Sequence, residues 1–277
     1  MLLKNKAGEI RLIWRLLLLV IPFLLAAYML RYIPIRIWAG ILMYGGLSAT
    51  AARSQAMVLF MEDPVVVSII GILQGLLWFV IVCVLLRTTE KRPCVSKSFG
   101  LAFTRKSLVL ALLGLMMGLI LNVVYYSVDS LINRAAFVWS PAELGMLPVV
   151  LVTLDMLANG FGEEAAFRAY WQRLLIERHG LWVGILLASA IFVLLHLLVA
   201  HYTAIALLAG ILIACLFGIL YVWTGSIFLV GTLHATFNLV PRLQGQWPSD
   251  IALLIVNALA LVIAVILYLW VVKVTSA

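Results

Sequence analysis

Apolar residues fill this chain in long runs separated by short polar stretches, and the runs rather than any strict alternation set the predicted elements. A helix needs about 20 apolar residues to cross about 30 Å of hydrocarbon, and runs of that length recur. Continuous runs argue for helices over the alternating segments of a membrane barrel. Spans are predicted at roughly 12–30, 65–86 and 107–127, then from near 144 through a Glu-Glu pair, then at 181–200, 203–223, 226–240 and 251–272. The stretch 37–61 starts apolar, but Gly45, Gly46, Arg53 and Gln55 break it, so it is expected to lie at the interface or re-enter rather than span. The expected fold is all-α: a polytopic membrane helix bundle of about eight transmembrane helices. It forms one integral membrane domain, 1–277, with spans one to three in 1–143, core helices in 144–245 and a last span at 251–272.

Composition agrees. Hydrophobic residues make up 66% of the 277 and charged residues 11%, with mean hydropathy +1.19, whereas soluble domains carry about a quarter charged residues. The net charge of +8 forms no clustered basic face, so no nucleic-acid partner is expected. It serves anchoring and orientation instead. Lys4, Lys6, Arg11 and Arg15 precede the first span, and Arg87, Lys91, Arg92, Lys97, Arg105 and Lys106 follow the second. Both groups are expected on the cytoplasmic side, and Arg173, Arg178 and Lys273 fall there too if the spans alternate. The expectation is a multi-pass cell-membrane protein with both termini cytoplasmic. No small-residue cleavage site follows Leu16–Leu30, so a retained first span is expected rather than a removed signal. Cys83, Cys94 and Cys215 show no Cys-x-x-Cys spacing and read as packing residues.

Ionisable groups are costly at membrane depth, and those found there normally face a partner or a wet cavity. Residues 163–168 read Glu-Glu-Ala-Ala-Phe-Arg; Phe192 and His196, then His234 and Asn238, follow as pairs at i, i+4. Midway between Glu163 and His196 stands His179-Gly180, where the glycine can end a helix. A turn there makes an antiparallel hairpin and sets Glu163 and His196 level, each about 25 Å from the turn. Glu164 and Arg168 share a helix face and can pair, while Glu163 points about 100° away. Gly160 and Gly162 leave room for a kink or a close neighbour. Asp155 is a further acid at this depth, and Gly114-x-x-x-Gly118 offers a close-packing face.

Peptide hydrolysis needs an activated nucleophile and donors for the developing oxyanion. Glu163 with His196 can polarise a water by sharing its proton, and His234 with Asn238 can donate to the oxyanion. Arg168 would hold Glu164 and make its charge bearable in low dielectric. Each residue also has a plainer reading. Glu164–Arg168 can be a structural bridge, Glu163 an interfacial charge, His196 a satisfied core imidazole and Phe192 packing. His234 and Asn238 can be helix–helix hydrogen bonds.

These motifs on successive membrane helices resemble the CPBP family, which comprises type II CAAX prenyl endopeptidases and the bacteriocin-processing and immunity proteins. Glu163, Glu164 and Arg168 match the first motif, Phe192 and His196 the second, and His234 and Asn238 the last, over roughly 145–245. The resemblance implies an eight-helix intramembrane glutamic endopeptidase with no metal and no cofactor, its site among helices four, five and seven. It implies that Glu163 and His196 activate water, that His234 and Asn238 form the oxyanion site, and that Glu164 and Arg168 support them. The implied partners are a peptide or membrane-protein substrate and the lipid bilayer. Two alternatives stand beside this reading. One is a zinc-dependent metalloendopeptidase with Glu163, His196 and His234 as ligands, although the His-Glu-x-x-His pattern is absent. The other is a non-catalytic peptide-binding or immunity protein using the same pocket.

Overall fold

The computed structural model describes residues 10–94, 100–134, 145–198 and 201–275. Lys4, Lys6 and Lys97 of the orientation argument lie outside them. Among the described residues the chain forms ten α-helices and one π-helical segment, with no strand. They are α1 (Leu12–Tyr44), α2 (Ala49–Met61), α3 (Pro64–Thr88), α4 (Arg105–Asn133) and α5 (Met146–Glu164). The π segment Ala165–Gln172 follows, then α6 (Arg173–His179), α7 (Leu181–His196), α8 (Ala204–Thr224), α9 (Ile227–Gln244) and α10 (Asp250–Thr275). α5, the π segment and α6 form one continuous rod of 34 residues. Six of these rods are long and apolar enough to cross a membrane. The 16-residue α7 and the 18-residue α9 run beside them, so the polytopic helical bundle is as expected.

Local chemistry explains the boundaries. Asp63 caps α3 by accepting from the amides of Val65 and Val66 at 3.0 and 2.9 Å, and Pro64 fills the first helical position, where no amide hydrogen is needed. Thr203 caps α8 through the Ala206 amide at 3.0 Å. Gly180, the expected turn of the hairpin, adopts φ +82° between α6 and α7, a conformation that favours glycine.

The structure departs from expectation in two places. The first span does not end near residue 30: α1 continues to Tyr44 through Pro22 and Pro34. An internal proline removes one hydrogen bond, and membrane helices absorb such a loss more readily than soluble ones. The remainder of 37–61 is α2, whose 13 residues reach only about 20 Å and cannot span, in keeping with a non-crossing segment. Cys83 and Cys94 are not separate packing residues: they form a disulfide with Cα atoms 4.5 Å apart, where the chain folds back after α3. Cys215 is buried, as expected of a packing residue.

Close packing at small residues brings the rods together. Gly114 and Gly118 of α4 lie on Leu229, Thr232 and Thr236 of α9, with no room for a Cβ, the face expected of that spacing. Gly160 of α5 meets Gly231 and Ala235 of α9, and Gly162 meets Gly75 of α3. Asp155 is buried and accepts from Asn159 at 2.5 Å. Asn159 also donates to the Gly71 carbonyl at 3.0 Å, tying α5 to α3. The largest core cluster wraps the π segment, whose eight residues are all buried.

Candidate active site

The site begins where α5 loses its regular hydrogen bonding. The glycines at 160 and 162 let the backbones of α9 and α3 close on α5, and the π segment starts immediately after Glu164. Single π turns inside α-helices are frequent at functional sites, because the extra residue re-aims side chains. Arg168 stands within this segment.

Glu164 and Arg168 are both fully buried and pair along the rod, with Arg168 Nε 3.2 Å from Glu164 Oε2. The other carboxylate oxygen, Oε1, lies 2.9 Å from His234 Nδ1 on α9. Glu163 approaches the opposite edge of the same ring, its Oε2 3.8 Å from His234 Nε2, and its side chain keeps 20% exposure. Two adjacent carboxylates thus grip the two nitrogens of one imidazole. The hairpin argument joins Glu163 to His196 instead. No hydrogen bond or ion pair between those two occurs among the described residues, whereas His234 Nε2 lies 3.8 Å from the Glu163 carboxylate. The physical reason is the α5–α9 contact at Gly160, which allows the two backbones to touch close to the Glu-Glu pair.

His196 closes α7. Its Nδ1 lies 2.8 Å from the Phe192 carbonyl oxygen. A carbonyl only accepts, so Nδ1 carries the hydrogen, and in the neutral ring Nε2 keeps a lone pair. The Phe192 ring sits 4.6 Å from His196 and 6.0 Å from His234, with the Arg168 guanidinium 5.2 Å from its centroid. Phe192 therefore touches the Arg168 guanidinium and both imidazoles, and the cation gains from the ring face.

A cavity of about 360 Å³ opens among α7, α8, α9 and α10, and His196, His234, Asn238 and Phe192 all line it. Glu163 does not line the cavity but meets the Nε2 edge of His234, while Glu164 and Arg168 lie behind that ring, fully buried. Among the described residues no three His, Cys, Asp or Glu side chains gather in a way that could hold a metal ion. His179 and His201 are exposed at turns, as expected.

Sequence reasoning missed several residues of the lining, above all Tyr202, Asp250 and Asn257. Tyr202 lies between α7 and α8; partial burial, and then the nearby Glu163 carboxylate, push its phenol up. Asp250 accepts from the Thr203 hydroxyl at 2.5 Å, joining the starts of α8 and α10. Asn257, a buried amide in an apolar span, donates to the Ala209 carbonyl at 2.9 Å. Its polarity within an apolar run is the signal that would have found it.

No curated protein and no solved structure shows a match to this chain. Residues 145–240, the stretch that carries Glu163, His196, His234 and Asn238, match the family described as type II CAAX prenyl endopeptidase Rce1-like, so the chain resembles a membrane endopeptidase family over that stretch, in agreement with the motifs.

Proposed function

We propose that the protein is an intramembrane endopeptidase in which Glu163 and His196 activate a water and Asn238 with His234 receives the oxyanion. The observation that carries this reading is the convergence of His196, His234 and Asn238 on one cavity, with Glu163 against the far edge of His234. Because His196 donates through Nδ1 to Phe192, its Nε2 is free to take a hydrogen bond from water. Glu163 accepts the water's proton as the oxygen attacks the peptide carbonyl. The tetrahedral oxyanion then takes a hydrogen bond from the Asn238 amide. His234 commits Nδ1 to Glu164, so it donates to the oxyanion through Nε2 only as an imidazolium. Collapse breaks the carbon–nitrogen bond. The proton held by Glu163 passes to the leaving amine, giving a new carboxylate and a new amino terminus.

Substrate class follows from the lining. Phe217, Phe237 and Trp247 face the cavity beside the polar groups, which suits apolar side chains next to the bond that is cut. The test compares peptides released from membranes carrying the wild type or Glu163→Gln, which keeps the shape and removes the base. Peptides that vanish with the variant support hydrolysis; an unchanged profile removes the proposal.

A further inference from the structure

Outside the site, the second half of α1 and the short α2 form a hairpin in contact at Ile35, Ala39 and Ala56. Two arginines, Arg36 from α1 and Arg53 from α2, line one cavity of about 540 Å³ between these helices. Its remaining walls are apolar or aromatic, including Tyr32, Met43 and Met57. No carboxylate lines it. Arg53 also borders a neighbouring depression that Glu62 lines, yet no ion pair joins either arginine to an acid among the described residues. Both arginines are exposed, so solvent screens their mutual repulsion and leaves the pair open to an anion.

Tyr28, Tyr32, Trp38 and Tyr44 are exposed along this half of α1, and Tyr28 and Tyr32 stack at 4.6 Å. Exposed tyrosine and tryptophan of this kind gather at membrane–water boundaries. Between them, exposed Ile33, Ile37 and Ile41 form an apolar surface along the same helix.

We propose that this cleft binds an anionic phospholipid, with Arg36 and Arg53 holding its phosphodiester and the acyl chains lying on the isoleucine surface. Guanidinium matches phosphate oxygens in a fixed two-pronged geometry, and one negative charge between the two arginines removes their repulsion. A choline headgroup would bring a further cation into the same cleft, so zwitterionic lipid fits poorly.

The test adds phosphatidylglycerol or phosphatidylcholine to the full chain in mixed micelles and reads melting temperature and lipid retained per chain. The wild type should gain more from phosphatidylglycerol, and Arg36→Gln with Arg53→Gln should weaken that binding about fivefold for each arginine. Arg105→Gln, in another basic segment, should leave the preference intact. Equal responses to the two lipids, a full response in the double glutamine variant, or the same response to inorganic phosphate alone would each overturn the proposal. Should the double glutamine variant fail to fold, Arg36→Lys with Arg53→Lys decides. It keeps the charge but not the fork, so its preference for phosphatidylglycerol must fall below that of the wild type, and an undiminished preference overturns the proposal.

Discussion

The seam between α5 and α9 and the hairpin of α1 and α2 treat charge in opposite ways. In the seam Glu164 and Arg168 are fully buried, and Glu163 and His234 complete a cluster of polar partners spaced at 2.9 to 3.8 Å. In the hairpin Arg36 and Arg53 face a cleft with no acid among its lining residues. Water and headgroups solvate charges at a membrane boundary, so an arginine there needs no protein partner. At depth there is no such solvent, and each ion must bring its counter-ion or remain uncompensated. The buried seam is therefore a fixed arrangement, and the hairpin is one that a bound anion can complete.

The largest break in this contrast is Arg168→Met, which leaves the buried Glu164 carboxylate without its cation. It should cost about 3–5 kcal/mol in thermal or denaturant unfolding, and adding Glu164→Gln should restore much of the loss. Asn238→Ala comes next. Removing one oxyanion donor should lower the cleavage rate about 10²-fold while leaving the melting temperature close to that of the wild type. Gly160→Val inserts a side chain where Gly231 and Ala235 already touch, and should destabilise by about 1–3 kcal/mol. Activity should fall with it, because the same contact brings His234 to the Glu-Glu pair. The smallest effect is expected from Tyr202→Phe, which removes a hydroxyl near Glu163 and should slow cleavage roughly two- to tenfold.

Much of the fold can be read from the chain because lipid imposes so simple a rule: apolar runs of spanning length become helices. The turn at Gly180 and the Glu164–Arg168 pair follow from local spacing, and the structure has both. What local spacing misses is contact between elements distant in sequence. The hairpin links the Glu-Glu helix to the next one, whereas the glycine contact at Gly160 and Gly231 brings in α9, about seventy positions away, and with it the Glu163–His234 approach. Backbone irregularity is equally hidden. Nothing in the apolar periodicity of Ala165–Gln172 distinguishes a π turn from an α turn, and Pro34 looks like a helix end although α1 runs through it. The Cys83–Cys94 pair escapes for the same reason, since its spacing fits no short motif and only the fold-back after α3 brings the sulfurs together.

In the proposed mechanism the adjacent glutamates have different tasks, Glu163 in the chemistry and Glu164 in the framework. The direct test is hydrolysis of one membrane-embedded peptide by the folded fractions of Glu163→Gln and Glu164→Gln, side by side with the wild type. The account predicts that Glu163→Gln folds normally and cleaves about 10²- to 10⁴-fold more slowly, whereas Glu164→Gln loses stability but retains measurable cleavage in the fraction that folds. Wild-type cleavage by folded Glu163→Gln would contradict it.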